Sequence, residues 1–398
     1  MKKKSLKLFL LSLILIPFLS CSDEIKEKKD LVDLLTEIKA DFAPDKRVAL
    51  FEVNAIKRTD GYLLMGETNL PEALDVLNDK LREKNIPYVD SIRLLPSEDL
   101  QGKIVGLVTI SVANLRSNPK HAAELATQAL LGTPVKVYKQ DGSWFLIQTP
   151  DQYLAWVDSG GVQMMTSSEL ATWKASPKII YTTIYGSTYS QPALTAPVVS
   201  DIVAGGILEL LEEGSEFYKV KYPDNREAYV SKKDASVYSD WLAKTKPTEE
   251  TLVATSKKLM GLPYLWGGTS TKGVDCSGFT KTIYFLNGMV IPRDASQQVH
   301  TGIEIDSLKD FTQLAPGDLL FFGRQATDST SERVIHVGMW IGNNEFIHSS
   351  GQVKISSVAK EAPNYDAYNL NRYLRSKRLL KSSNSAVLNL TKTPIFND

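Results

Sequence analysis

The chain has two cysteines and four histidines in 398 residues, and one cysteine sits where it could act as a nucleophile. Cys276 follows Asp275 and opens a stretch to Leu286 in which Phe279, Ile283 and Leu286 recur at helical spacing. Asp is a favoured N-cap residue, so the pattern places Cys276 in the first turn of a helix. The partial positive charge of a helix N-terminus favours the thiolate, which is the nucleophilic form. The first-turn N–H groups have no partner within the helix and can donate to an oxyanion forming on an attacked carbonyl.

A thiolate needs a base. Val334 to Ile341 reads as a strand carrying His336, and Glu345 to His348 as the strand that returns beside it. A one-residue slip in register moves a side chain to the other face of the sheet. A two-residue turn at Asn343-Asn344 would pair Met339 with His348 and put His336 on the opposite face. A three-residue turn through Gly342-Asn343-Asn344 would pair Gly338 with His348 and set the two imidazoles diagonally on one face. Three-residue hairpin loops with a left-handed position are common and Asn tolerates that conformation, so the three-residue turn is expected. His336 is then the base, and His348 orients it and supports its charged form. His121 and His300 fall outside this pattern and read as surface or packing residues. By type alone, Cys276, His336 and His348 are also compatible with plain core residues or with a metal site.

The elements that must position these groups follow from patterning. Residues 31–103 read as a small α/β unit: strands at Arg47–Lys57, Gly61–Thr68 and Tyr88–Leu95, and a helix at Pro71–Lys84 with Leu74, Leu77 and Leu81 on one face. Short strands and turn residues over 104–166 read as a small β-barrel, and a comparable run over 167–240 as a second. Residues 251–382 alternate helix, glycine-rich loop, helix and antiparallel strands, and 383–398 read as a polar, frayed tail. The expected fold class is therefore α+β, with the chemistry in the last domain.

The first twenty residues are of another kind. Lys2, Lys3, Lys4 and Lys7 precede the apolar run Leu8 to Leu19, the layout of a secretory signal. Phe18-Leu19-Ser20-Cys21 resembles a bacterial lipobox, which makes Cys21 the expected site of lipidation and 21–30 a solvated tether. The acidic Ser22-Asp23-Glu24 resembles the surface-export signals of Bacteroidetes lipoproteins. The expected location is the cell envelope, periplasmic or at the outer membrane, with a lipid anchor in the membrane. With Cys21 lipidated, Cys276 is an unpaired thiol in an exported protein. Lys plus Arg and Asp plus Glu number 46 each, so no net field attracts a polyanion and nucleic acid is not an expected partner.

A series of motifs in order carries a family resemblance. Pro263-Tyr264-Leu265-Trp266-Gly267-Gly268, Asp275-Cys276-Ser277-Gly278-Phe279, Ile291-Pro292-Arg293-Asp294, Leu314 to Phe322, His336-Val337-Gly338-Met339 and Phe346-Ile347-His348-Ser349-Ser350 resemble those of the NlpC/P60 cysteine peptidases. The match runs over about 251–360, and Val112 to Pro119 resembles the opening of a bacterial SH3-like domain. The arrangement is similar to the YkfC-type γ-D-glutamyl-L-diamino acid endopeptidases. The resemblance implies a papain-like domain behind two SH3-like barrels and a Cys276–His336–His348 triad, with Tyr264 helping to hold the oxyanion. It further implies Asp294 and Glu124 at the free amine of a substrate's L-Ala, Tyr153 and Trp266 lining the pocket, and Asp275 and Ser277 among the substrate contacts. Ala295 stands where some relatives carry a small hydroxyl residue. The implied substrates are peptidoglycan stem peptides or murein fragments, and no cofactor or metal is implied. A non-catalytic peptidoglycan-binding lipoprotein and an acyltransferase are the alternatives, since barrels of this kind bind peptides and a related fold transfers acyl groups.

Overall fold

The computed structural model describes residues 20–382 and 384–397. The expected signal segment, up to residue 19, and the side chain of Cys21 lie outside them. The chain divides into two units, one ending at Leu95 and one beginning at Pro96.

In the first unit, helix Ser20–Phe42 brings Leu31, Leu34 and Ile38 to one face by their spacing of three and four residues. That face packs with Ala73, Leu77 and Leu81 of helix Pro71–Glu83 and with Phe51 and Leu64 of the sheet. Strand Gly61–Thr68 is central, antiparallel to Phe51–Arg58 and parallel to Tyr88–Leu94. The segment expected as a tether, 21–30, is the beginning of the long helix. The unit ends at Leu95 rather than near 103, because Leu100 packs into the core of the barrel that follows.

The second unit holds two seven-stranded sheets and one six-stranded sheet. The first barrel runs from Val105–Val108 to Val162–Met165 around Val108, Leu115, Val137, Ile147 and Val157. The second runs from Lys178–Tyr181 to Ala235–Val237 around Ile179, Tyr181, Ile202, Leu208 and Val220. In both, apolar residues at alternate strand positions point inward.

The last domain is α+β. Its sheet is antiparallel, in the order Ile303–Asp306, Tyr373–Arg378, Leu319–Arg324, Arg333–Gly342, Glu345–Ser350, Gln352–Ser357. Helix Cys276–Phe285 lies against the strands that carry His336 and His348 and buries Phe279 and Ile283 among Phe321, Val337, Met339 and Ile347. The tail is not frayed. Leu388–Asn389 pairs with Met289–Val290, and Leu390, Ile395 and Phe396 are buried with Trp173, Ile207 and Tyr238 of the barrels and their flanking helices. Its apolar residues are few and widely spaced, so no periodicity marks them in the sequence.

Candidate active site

Asp275 caps the helix as its residue type suggests: Oδ1 accepts from the Gly278 N–H at 2.7 Å. The same carboxylate accepts from the Gly267 N–H at 3.0 Å, which ties the glycine-rich loop to the helix start. Gly278 must be glycine because a Cβ there would lie 1.9 Å from the Gly268 carbonyl oxygen. Gly267 has φ +78°, and a Cβ on it would meet the Leu125 carbonyl of the first barrel at 2.2 Å. These contacts press the loop, the helix and the barrel together around Cys276.

Arg293, 1% exposed, forks onto Asp275 with N–O distances of 2.5 and 3.1 Å. It also donates to Ser277 Oγ at 3.0 Å and, through Nε, to Thr127 Oγ1 of the first barrel at 3.0 Å. Burial works against its charge, and Asp275 more than compensates, so its pKa is raised. Asp275 and Ser277, expected among the substrate contacts, are buried and committed to this network. Their side chains build the helix start.

The thiol of Cys276 is buried and lies near the Val337 N–H, beside the residue after His336. Burial, then the Asp275 charge, pushes the thiol up to about 11. The helix terminus favours the thiolate, and desolvation of the charged form opposes it. Burial, then the neighbouring His348, lowers His336, and burial lowers His348 as well.

His336 Nε2 and His348 Nδ1 are 2.7 Å apart, which leaves His336 Nδ1 for the thiol. The register comes about differently from the expected one. The turn is the two-residue Asn343-Asn344 with φ of 53° and 59°, closed by the pair Gly342↔Glu345. A bulge at Ile341 then shifts the ladder to Trp340↔Phe346 and Met339↔Ile347, and the next position sets Gly338 opposite His348. One extra residue in the strand does what one extra residue in the loop would have done.

Beyond His348 lie two residues to which the sequence assigned no role. His348 Nε2 is 3.0 Å from Ser356 Oγ and 3.9 Å from Asp366 Oδ2. The one local signal was Asp366 three residues before Asn369, a helix-start spacing that the structure uses as a cap.

Tyr264, from the loop before the helix, is partly exposed beside Cys276. Burial, then the neighbouring Cys276 and Asp275, pushes its hydroxyl up to about 12, so it remains a donor at neutral pH. Tyr153 of the first barrel donates to Asp294 Oδ2 at 3.2 Å, and Trp266 Nε1 donates to Glu124 Oε1 at 2.7 Å. Each of the two acids expected at a substrate amine is thus bonded to one of the two aromatics expected to line the pocket, across the junction of barrel and catalytic domain. A cleft of about 510 Å3 at this junction is lined by Trp266, Leu265, Leu125 and Arg116 among others. His121 packs edge-on against Trp144, outside the site.

Comparison with known proteins gives the family. Residues 261–372 match the NlpC/P60 family, 115–162 the bacterial dipeptidyl-peptidase SH3 domain and 189–236 a bacterial SH3 domain. The chain is 32% identical over 269 residues to a gamma-D-glutamyl-L-lysine dipeptidyl-peptidase of Bacillus cereus, covering 65% of this chain and 77% of the relative. It is 32% identical over 232 residues to a protein of the same name from Bacillus subtilis, covering 56% and 72%. The crystal structure of an NlpC/P60 family protein from Bacillus cereus matches with a TM-score of 0.59 at 28% identity, over 69% of this chain and 99% of that one. The chain belongs to the NlpC/P60 family of cysteine peptidases, with two SH3-like domains ahead of the catalytic one.

Proposed function

We propose that this peptidase cleaves the γ-D-glutamyl–diamino acid bond of cell-wall peptides that begin with a free L-Ala. The observation that carries the reading is the pairing of Glu124 with Trp266 and of Asp294 with Tyr153 beside the Cys276 helix. Two carboxylates there suit an ammonium group, and an N-blocked or glycan-linked peptide would leave them without a partner. The Bacillus relatives, named gamma-D-glutamyl-L-lysine dipeptidyl-peptidases, support the same bond.

The reaction is acyl transfer to water. Cys276 Sγ attacks the γ-carbonyl carbon while its proton passes to His336 Nδ1. The oxyanion is held by the Cys276 N–H and the Tyr264 hydroxyl. As the intermediate collapses, the C–N bond breaks and the leaving amine takes the proton from His336. Water then gives a proton to His336 and its oxygen to the thioester carbon. The dipeptide acid leaves, and the proton returns to the thiol. The chain is also proposed to be anchored in the cell envelope by lipid on Cys21. Labelled fatty acid should enter the wild type and not Cys21→Ser.

The test uses L-Ala-γ-D-Glu-meso-diaminopimelate and its N-acetyl twin, with Cys276→Ala as control, and follows release of the diamino acid by mass spectrometry. Cleavage of the free-amine peptide alone, absent from the control, is the expected result. Equal cleavage of both would remove the role given to Glu124 and Asp294. Cleavage of neither would point to a binding protein or another acyl substrate.

A further inference from the structure

Strand Gln352–Ser357 places Ser356 on the far side of His348 from the base, and Asp366, the N-cap of helix Ala367–Leu370, closes the line. We infer that Asp366 and Ser356 are positioning residues that fix the tautomer of both histidines and so keep the lone pair of His336 Nδ1 turned toward Cys276. The inference rests on the reading of Cys276 and His336 as nucleophile and base.

Donors and acceptors along the line determine the tautomers. Burial opposes ionisation of Asp366. The backbone and side-chain N–H groups of Asn369, the His348 ring and the Ser356 hydroxyl outweigh it, so its carboxyl lies below the ordinary value. A carboxylate only accepts, and Asp366 Oδ2 lies 3.9 Å from His348 Nε2, so a lone pair on that nitrogen is disfavoured and its hydrogen is turned to Ser356 Oγ. His348 Nε2, 3.0 Å from that oxygen, therefore carries the hydrogen. In a neutral ring Nδ1 is then bare. It can only accept from His336 Nε2 at 2.7 Å, so His336 carries its hydrogen on Nε2 and is bare at Nδ1. Every hydrogen in the line is assigned once the terminal carboxylate is charged. When His336 becomes an imidazolium it keeps the same Nε2–H bond, and no partner has to turn. Of the charged groups that act on both rings, Arg372 and Lys354 oppose protonation and Asp366 favours it. The anion at the end of the line thus also supports the transient imidazolium.

The experiment is nitrogen-15 NMR of the histidine rings in the full chain, with peptide kinetics alongside. The variants are Asp366→Asn, which retains a capping side chain, Ser356→Ala, and Ser356→Thr, which retains the hydroxyl. The wild type should show hydrogen-bearing nitrogen at Nε2 of both His336 and His348. Asp366→Asn and Ser356→Ala should show mixed tautomers and a kcat lower by about tenfold with KM little changed. Ser356→Thr should keep the wild-type pattern. Hydrogen at Nδ1 of His336 in the wild type would overturn the inference. So would variants that lose kcat while their tautomers stay single, because that outcome is ordinary misplacement. The NMR pattern needs no substrate. A correct pattern in a protein that leaves the proposed peptide uncut would sink the substrate reading and leave the relay standing.

Discussion

Cys276 and His336 are shifted in opposite directions by one cause, the loss of water around both. His336 lowered below its ordinary 6.5 keeps its lone pair as the solution is acidified. The acid limb of kcat/KM should therefore lie below pH 6.5, and alkylation of Cys276 by iodoacetamide should rise steeply only above the ordinary thiol value of 9.0. A rate already at plateau near neutral pH would instead reveal a standing ion pair. Arg293 is the other residue on which the site depends. Its guanidinium is the partner of a buried Asp275, so Arg293→Met strands a carboxylate and should cost about 3–5 kcal/mol in a urea titration. Arg293→Lys keeps the charge without the fork and should fall between the two. Loss below 1 kcal/mol for Arg293→Met would mean that water reaches Asp275 unaided.

At the scale of the element, the hairpin shows how much of the site could be read beforehand. The alternation of Val334 to Ile341 and the two asparagines located both strands and the turn, and the pairing of Gly338 with His348 followed from the three-residue loop expected there. The means to that register was not legible. A three-residue loop and a two-residue loop with a bulge differ by where one residue sits, and Ile341 has no side-chain type that marks a bulge. Arg293 was visible within a motif, yet its bonds to Asp275 and Thr127 join residues far apart in sequence, which no local pattern records. The tail was missed for the same reason. The turn itself is testable. Both asparagines have left-handed backbone, which costs other L-residues roughly 1–2 kcal/mol each. Asn343→Ala/Asn344→Ala should lose about 2–4 kcal/mol in chemical denaturation. Its kcat should fall further than its KM rises, since the loop sets the two histidines and not the pocket. Asn344→Gly should be neutral or stabilising by the same assay.

At the scale of the molecule, the first barrel forms one wall of the site, and polar contacts join it to the catalytic domain beside the packing of Leu130 near Phe285. Gln128 exchanges hydrogen bonds with Thr269 through both main chain and side chain and accepts from Ser270. Lys281 of the nucleophile helix is paired with Asp151 in the loop that leads to Tyr153. Burial lowers the Lys281 pKa and Asp151 works to hold it up. Such a pair adds little net stability, because desolvation offsets most of the attraction. What it supplies is position: the loop holding Tyr153, and through it Asp294, is fixed to the helix that begins at Cys276. Lys281→Met removes the partner of a buried Asp151 and should destabilise the chain by about 3–5 kcal/mol. It should also raise KM for the free-amine peptide more than it lowers kcat, because the wall moves while the thiol and imidazole stay. The double variant Lys281→Met/Asp151→Leu removes both charges and should recover most of the stability. It should not recover KM, since an apolar contact leaves the loop free to slide. Recovery of both together would mean that packing alone seats the barrel; recovery of neither would mean that the pair supports the fold of the nucleophile helix itself.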